Sequence, residues 1–353
     1  MASPLYQTLG TRMKPLPLFE DIAAQEHQHP IYRMLRDGDY AAERAVLLTW
    51  SEGFQDRDGK FCHEFQVSFE SCLWELYLHA YMKELGAVVD FSFASPDFVV
   101  SGTESFCIEA TICAPAAGQP GPHGHSIEDL PEDLSRFNSE STVRICNSFT
   151  SKVKRLRERY ATLPQCEGKP FVLAIASFDR PFSYMAAMRP IISALYGIYH
   201  DEEKTIASGA QKMVSFNVDG VLKNENTSID VGYFCTPEYS DVSAVIFSSL
   251  ATWGKVRALA DNPNARTVYR TLHPNPESLH PIMRVATKAD YHEHLLDGLC
   301  VMHNPFAKHK LGPKVLGHER VAQGLVKLDG ELDFVAPDDF LLMRFLMSVT
   351  AKA

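Results

Sequence analysis

The chain has 353 residues, 45% of them hydrophobic, and a formal charge of −10 at pH 7. That is enough for one large globular unit or two small ones. The acidic balance argues against a protein that coats or tracks along nucleic acid, because phosphates call for a positive surface, though it leaves room for a local basic face.

The first residues, 1–63, read as a helical and loop preamble punctuated by Pro15, Pro17 and Pro30, with a helix over Asp39 to Trp50. Val67 to Leu85 reads as a single helix: Val67, Leu73, Trp74, Tyr77, Leu78, Tyr81 and Leu85 recur at three- and four-residue steps, and Gly86 supplies the stop. Two glutamates interrupt its apolar surface. Glu70 falls in the middle of the stripe and Glu75, eleven residues before Gly86, at its edge; a carboxylate there is costly unless paired or metal-bound.

The next stretch carries the most chemistry. Pro96-Asp97 leads into a strand, Phe98-Val99-Val100, then a polar turn over 101–105 and a second strand, Phe106-Cys107-Ile108-Glu109-Ala110-Thr111. Strand alternation sends Ile108, Ala110 and Ile112 to one face and Glu109 with Thr111 to the other. Asp97 and Glu109 then stand at the ends of neighbouring strands, an arrangement suited to a hard cation that keeps waters for a phosphate. A loop rich in Pro, Gly, His and acids follows over 114–134, where it should hang beside the acids. Its His123 and His125 could touch a metal or substrate there, but solvated loop histidines are the commoner outcome and the one expected.

Residues 140–160 form the next expected helix, with Val143, Ile145, Phe149, Val153, Leu156 and Tyr160 as its apolar positions. At about 100° per residue, Lys152 and Ser148 fall within or beside that apolar face and Lys154 on the opposite side. A lysine in an apolar stripe snorkels or meets an anion, and Lys152, Lys154, Arg155, Arg157 and Arg159 also read together as a solvated basic face. Pro170 to Phe178 is a continuous apolar run, as expected of a buried central strand.

The Pro-Asp and Glu-x-Thr pairs, in the order helix, strand, turn, strand, helix, strand, resemble the PD-(D/E)XK nuclease superfamily over about residues 64–179. The resemblance implies an α/β fold with a restriction-endonuclease-like core, a mixed central sheet flanked by helices. It implies Asp97 and Glu109 as ligands of magnesium or manganese, with Glu75 or Glu70 completing the set, and phosphodiester hydrolysis of nucleic acid, DNA before RNA. Thr111 occupies the position where the family pattern has lysine. As in some members of the superfamily, the lysine would then come from the following helix, here Lys152, with Arg144, Ser148 and Arg155 as phosphate ligands. Many nucleases of this fold act as dimers, so a homodimer is a further expectation. The competing reading from Thr111 and the acidic charge is a nuclease-fold binding or scaffold module without hydrolysis.

Past residue 180, Tyr184 to Tyr199 reads as a helix interrupted by Pro190, and Gln211–Val218, Val242–Ser248 and Leu299–His303 as strands extending the same sheet, so that 64–353 forms one elaborated domain. His292, His294, His303, His309 and His318 suggest zinc by composition, but Pro305 breaks any helical His-x-x-x-His spacing and a structural loop is expected. No Gly-x-Gly-x-x-Gly, Walker or Gly-x-Ser-x-Gly motif is present. With no apolar run of eighteen residues, no leader pattern and eight cysteines lacking Cys-x-x-Cys spacing, a soluble cytoplasmic protein without membrane contact is expected, its thiols buried and free, including Cys107, Cys146, Cys235 and Cys300.

Overall fold

The computed structural model describes residues 14–350 apart from positions 103 and 225. Helices α1 (Pro30–Asp37), α2 (Ala41–Ser51), α3 (Phe61–Val67) and α4 (Phe69–Glu84) come first. The expected single helix from Val67 is in fact two, because Ser68 leaves helical geometry at φ −128°, ψ 50°. Its predicted end holds: Gly86 adopts φ +65°, Gly86 N–H donates to Lys83 O and Ala87 N–H to Met82 O, the paired bonds of a Schellman stop.

Strands β1 (Val88–Asp90), β2 (Phe98–Ser101) and β3 (Phe106–Cys113) follow, then α5 (Leu134–Arg155) and β4 (Phe171–Ser177). Helix α5 starts six residues before the expected Glu140, capped by the Asp133 side chain, which accepts from Arg136 N–H. Its last predicted turn, Leu156–Tyr160, is π-helical. The chain continues through α6 (Arg189–Tyr196), β5 (Ile198–His200), α7 (Glu202–Ser208), β6 (Ser215–Asn217), β7 (Gly220–Asn224), β8 (Thr227–Asp230), β9 (Ala244–Ser248), α8 (Trp253–Leu259), β10 (Ala265–His273), β11 (Ile282–Thr287), β12 (Cys300–His303), β13 (Ala322–Val326), β14 (Leu332–Val335) and β15 (Met343–Thr350).

The protein is a mixed α/β structure around one eight-stranded sheet of order β1-β2-β3-β4-β9-β12-β13-β14. β1, β2 and β3 are antiparallel neighbours, β4 is parallel to both β3 and β9, and β12 returns antiparallel to β9. A parallel neighbour needs a crossover, and the 114–134 loop with α5 supplies it between β3 and β4. Every residue of β4 is buried, as its unbroken apolar run requires, because both faces of the sheet are covered. On one face α4 and the N-terminal helices pack with Ile108, Ala110, Val172 and Ala174. On the other, Ile145, Phe149 and Val153 of α5 and Ile191 of α6 pack with Cys107, Leu173 and Ile175.

Helix α4 has no single apolar stripe. It lies between the sheet and the N-terminal helices and is buried nearly all round, with Trp74 Nε1 donating to Ala174 O on one side and His79 Nδ1 meeting Trp50 O on the other. Leu18, Tyr32, Leu47 and Phe54 share that core, so the N-terminal segment is part of the packed unit.

Several expectations change downstream. Pro190 starts α6 at its first turn instead of interrupting a helix, where its missing N–H costs nothing. Of Gln211–Val218 only Ser215–Asn217 is strand, and it pairs with β5 in a separate two-stranded sheet. The Val242–Ser248 and Leu299–His303 segments do join the central sheet, as β9 and β12. An unexpected three-stranded antiparallel sheet, β11-β10-β15, stands apart from it. Seven of the eight cysteines are buried and all eight are free, but Cys235 is exposed. No helix among the described residues is long and apolar enough to cross a membrane.

Candidate active site

The register of β2 and β3 builds the centre of the site. Phe98 pairs with Ile108 and Val99 with Cys107, so one step further Asp97 stands across from Glu109. Asp97 is tied to β3 by its side chain, Oδ2 accepting from Ala110 N–H at 2.7 Å. Arg57, on the loop before α3, donates through Nη1 to Phe93 O and Pro96 O and places Nη2 3.9 Å from Asp97 Oδ1. It thereby holds the segment that presents the aspartate.

Glu109 is 2% exposed and faces α5, as strand alternation predicts. Lys152 Nζ donates to its Oε1 at 2.8 Å, Tyr160 OH donates to the same oxygen at 3.3 Å, and Arg155 Nη1 lies 3.7 Å from it. The lysine in the apolar stripe therefore meets an anion, the second of the two outcomes set for it. Burial and the Glu109 charge push the Tyr160 phenol up to about 12, which keeps it a neutral donor.

Burial and the Glu109 charge also raise the Asp97 carboxyl to about 6, against the opposing pull of the Ala110 N–H, Lys152 and Arg57. Glu75 reaches this cluster from α4. Burial raises it to about 8, with the Asp97 charge the next cause. Asp97 and Glu75 are thus both held above the usual carboxylate range, by burial first and by neighbouring acid charge second. An oxygen-lined site under like-charge strain fits a hard divalent cation, which would relieve the repulsion. A quarter of the Asp97 side chain is accessible, so the cluster has an opening.

The remaining predicted residues spread out. Thr111 lies next to Glu109 along the same face of β3 and is half-buried. Ser148 lies about one helical turn before Lys152 and its hydroxyl donates to Ile112 O. Arg144 lies a further turn back along α5 and is half-buried. Apart from half-buried Lys152, the basic run is the solvated face its composition suggested: Lys154, Arg155, Arg157 and Arg159 are exposed, with Arg157 donating to Asp241 Oδ2 at 2.7 Å and lying over the Tyr239 ring, and Lys154 3.8 Å from Glu158. Arg57 and Tyr160 escape a reading by motif because they lie 40 residues before Asp97 and 51 after Glu109, with no local pattern linking them to either acid.

Glu70 does not join this cluster. It contacts His29 Nε2 and His123 Nδ1, each at 3.2 Å. His123 and His125 are accordingly half-buried, not solvated, and the His125 ring packs on Phe182 at 4.3 Å between centroids. The C-terminal histidines do not converge. His303 is buried in β12 and meets Gln323 Oε1, while His294 stacks on His318. Among the described residues, the only group of three His, Cys, Asp or Glu donor atoms within 4.8 Å of one another is His29, Glu70 and His123. Searched against protein-family models, curated proteins and solved structures, the chain matches none of them.

Proposed function

We propose that this protein is a metal-dependent phosphodiesterase acting on nucleic acid, built on a restriction-endonuclease-like core. The observation that carries the reading is the 2.8 Å contact from Lys152 to Glu109, with Asp97 directly across the strand pair. It supplies from α5 the cation that Thr111 cannot provide from β3. Asp97, Glu109 and Glu75 would hold magnesium or manganese. When bound, the cation supplies charge neutralisation for the phosphate and lowers the pKa of an attacking water.

The protein's own groups account for the rest. Arg57 and the Ala110 N–H orient Asp97. Lys152, held by Glu109, which Tyr160 also bonds, offsets charge that develops on the phosphoryl oxygens, and in this partly buried wall it is worth more than in water. Arg155, nearly half exposed beside Glu109, is placed to meet a substrate phosphate.

A binding module without hydrolysis is the second reading. It draws support from Thr111 and from Glu109 Oε1, whose acceptor capacity Lys152 and Tyr160 already use. Calorimetric titration of magnesium and manganese into wild type, Asp97→Asn and Glu109→Gln, followed by cleavage assays on DNA and RNA, separates the two. A metal site present in wild type and absent in both variants, with cleavage lost in Lys152→Ala, is the expected result. Nucleic-acid binding unchanged by Asp97→Asn, with no cleavage by wild type, would overturn the enzyme reading in favour of the module.

A further inference from the structure

A second constellation lies on the far side of α4 from the strand acids. His29 caps the N-terminus of α1, Glu70 sits in the first turn of α4, and His123 comes from the loop after β3. Phe69 stacks against the His29 ring, and the two imidazoles meet edge to face at 4.5 Å. Glu70 and His123 line a cavity of about 1010 Å³, walled mainly by apolar groups such as Leu73, Phe182 and Trp253.

We propose that His29 Nε2, Glu70 Oε1 and His123 Nδ1 bind a first-row transition cation of the zinc class, which ties the 114–134 loop to the N-terminal helices at the wall of this cavity. Spacing is the first argument. Ligands at about 2.0–2.1 Å around a tetrahedral ion lie about 3.3 Å from one another, and Glu70 Oε1 lies 3.2 Å from each histidine nitrogen. Their bonding state is the second. Despite these distances, Glu70 Oε1 and His123 Nδ1 are buried without a hydrogen-bond partner, which is costly for polar atoms unless something else satisfies them. Chemistry is the third: two imidazoles with one carboxylate suit zinc, nickel or cobalt, whereas magnesium takes oxygen ligands. Three protein ligands also leave a position open, and Glu70 and His123 direct it toward the cavity.

The His29 ring must change tautomer to take part. Its Nδ1 accepts from Ile31 N–H at 3.3 Å, and a metal on Nε2 would exchange that long contact for a protonated Nδ1.

The test uses the full chain freed of metal by a chelator, titrated with zinc against a chromophoric competitor and with cobalt read by its visible d–d absorption. One equivalent is expected, with the cobalt bands of a four- or five-coordinate nitrogen–oxygen site. Outer-shell changes at metal sites weaken binding 10–100-fold, so loss of a ligand in His123→Ala or Glu70→Gln should weaken it by about 100-fold or more. Asp97→Asn should leave it unchanged, which separates this site from the strand acids. His123 lies on a loop, so its variant should melt with metal-free wild type, and the melting curve confirms that. No stoichiometric zinc on wild type, leaving an ion-paired trio only, would overturn the proposal. So would zinc binding unaltered in both ligand variants.

Discussion

Asp97 is the residue whose removal should stabilise the fold. A carboxyl that titrates near 3.8 when unfolded and at about 6 when folded binds its proton more tightly in the native state. Stability is therefore full below the unfolded value and declines as pH rises through the window between the two. The loss for this one group is about 1.6 kcal/mol at pH 5 and about 3 kcal/mol at pH 8. In Asp97→Asn the amide oxygen retains the acceptor for Ala110 N–H, while the charge that opposes Glu109 and Glu75 disappears. With 353 residues and an unfolding entropy of about 2.1 cal/mol/K per residue, 3 kcal/mol corresponds to about 4 °C in Tm. Scanning fluorimetry in chelator-treated buffer should find the variant about 2 °C more stable than wild type at pH 5 and about 4 °C at pH 8. An equal or lower Tm, or a gain that does not grow with pH, would show that Arg57 and the Ala110 N–H already satisfy Asp97, and the argument for a strained acid cluster would fail.

Two further variants probe buried charge in the opposite direction. Lys152→Met leaves Glu109 without its 2.8 Å partner in a site 3% exposed. Breaking such a pair costs about 3 kcal/mol, at the low end for buried pairs because Lys152 keeps some solvent, and the same fluorimetry should show a fall of about 4 °C. Glu293→Gln removes the anion that Lys255 and Arg344 share, all three side chains being essentially buried. That should cost about 3–5 kcal/mol and give the largest fall of the set, whereas a change under 1 °C would mean that the backbone carbonyls of Leu250 and Asp297 suffice for the two cations.

The acid pair was legible in the sequence because strand alternation is a local rule. Once 98–100 and 106–111 are read as neighbouring strands, Glu109 must turn away from Ile108 and Ala110, and the same rule sets it facing the next helix. Lys152 was legible for a similar reason, since a helical wheel places it in the stripe that packs on that strand. The β11-β10-β15 sheet was not legible. In β10 the buried positions are Thr267, Tyr269, Thr271 and His273, while Val268 is exposed, so the hydrophobic alternation runs out of phase with burial. Polar β-formers face inward there because they find partners, as His273 does with Asp339 O and the Thr271 hydroxyl. The single helix expected from Val67 breaks at Ser68, where neither Gly nor Pro marks the position in the sequence.

Glu70 and Glu75 looked like rivals for one metal, and the fold gives them different neighbours. Five residues apart on α4, they are separated by about 7.5 Å along the axis and about 140° around it. On a helix buried nearly all round both carboxylates are only partly exposed, so each is compensated on its own side. Burial, and after it the Asp97 charge, makes Glu75 retain its proton toward neutral pH. Glu70 meets two imidazoles and stays ionised. Those opposite responses correspond to opposite metal preferences. An all-carboxylate cluster repels itself until a hard cation arrives, whereas a carboxylate between two imidazoles presents the mixed donor set that magnesium avoids and zinc prefers. On the two proposals, one helix serves two chemically distinct sites without competition between their ions, so magnesium and zinc titrations of the same protein should respond to different substitutions, Asp97→Asn for the first and His123→Ala for the second.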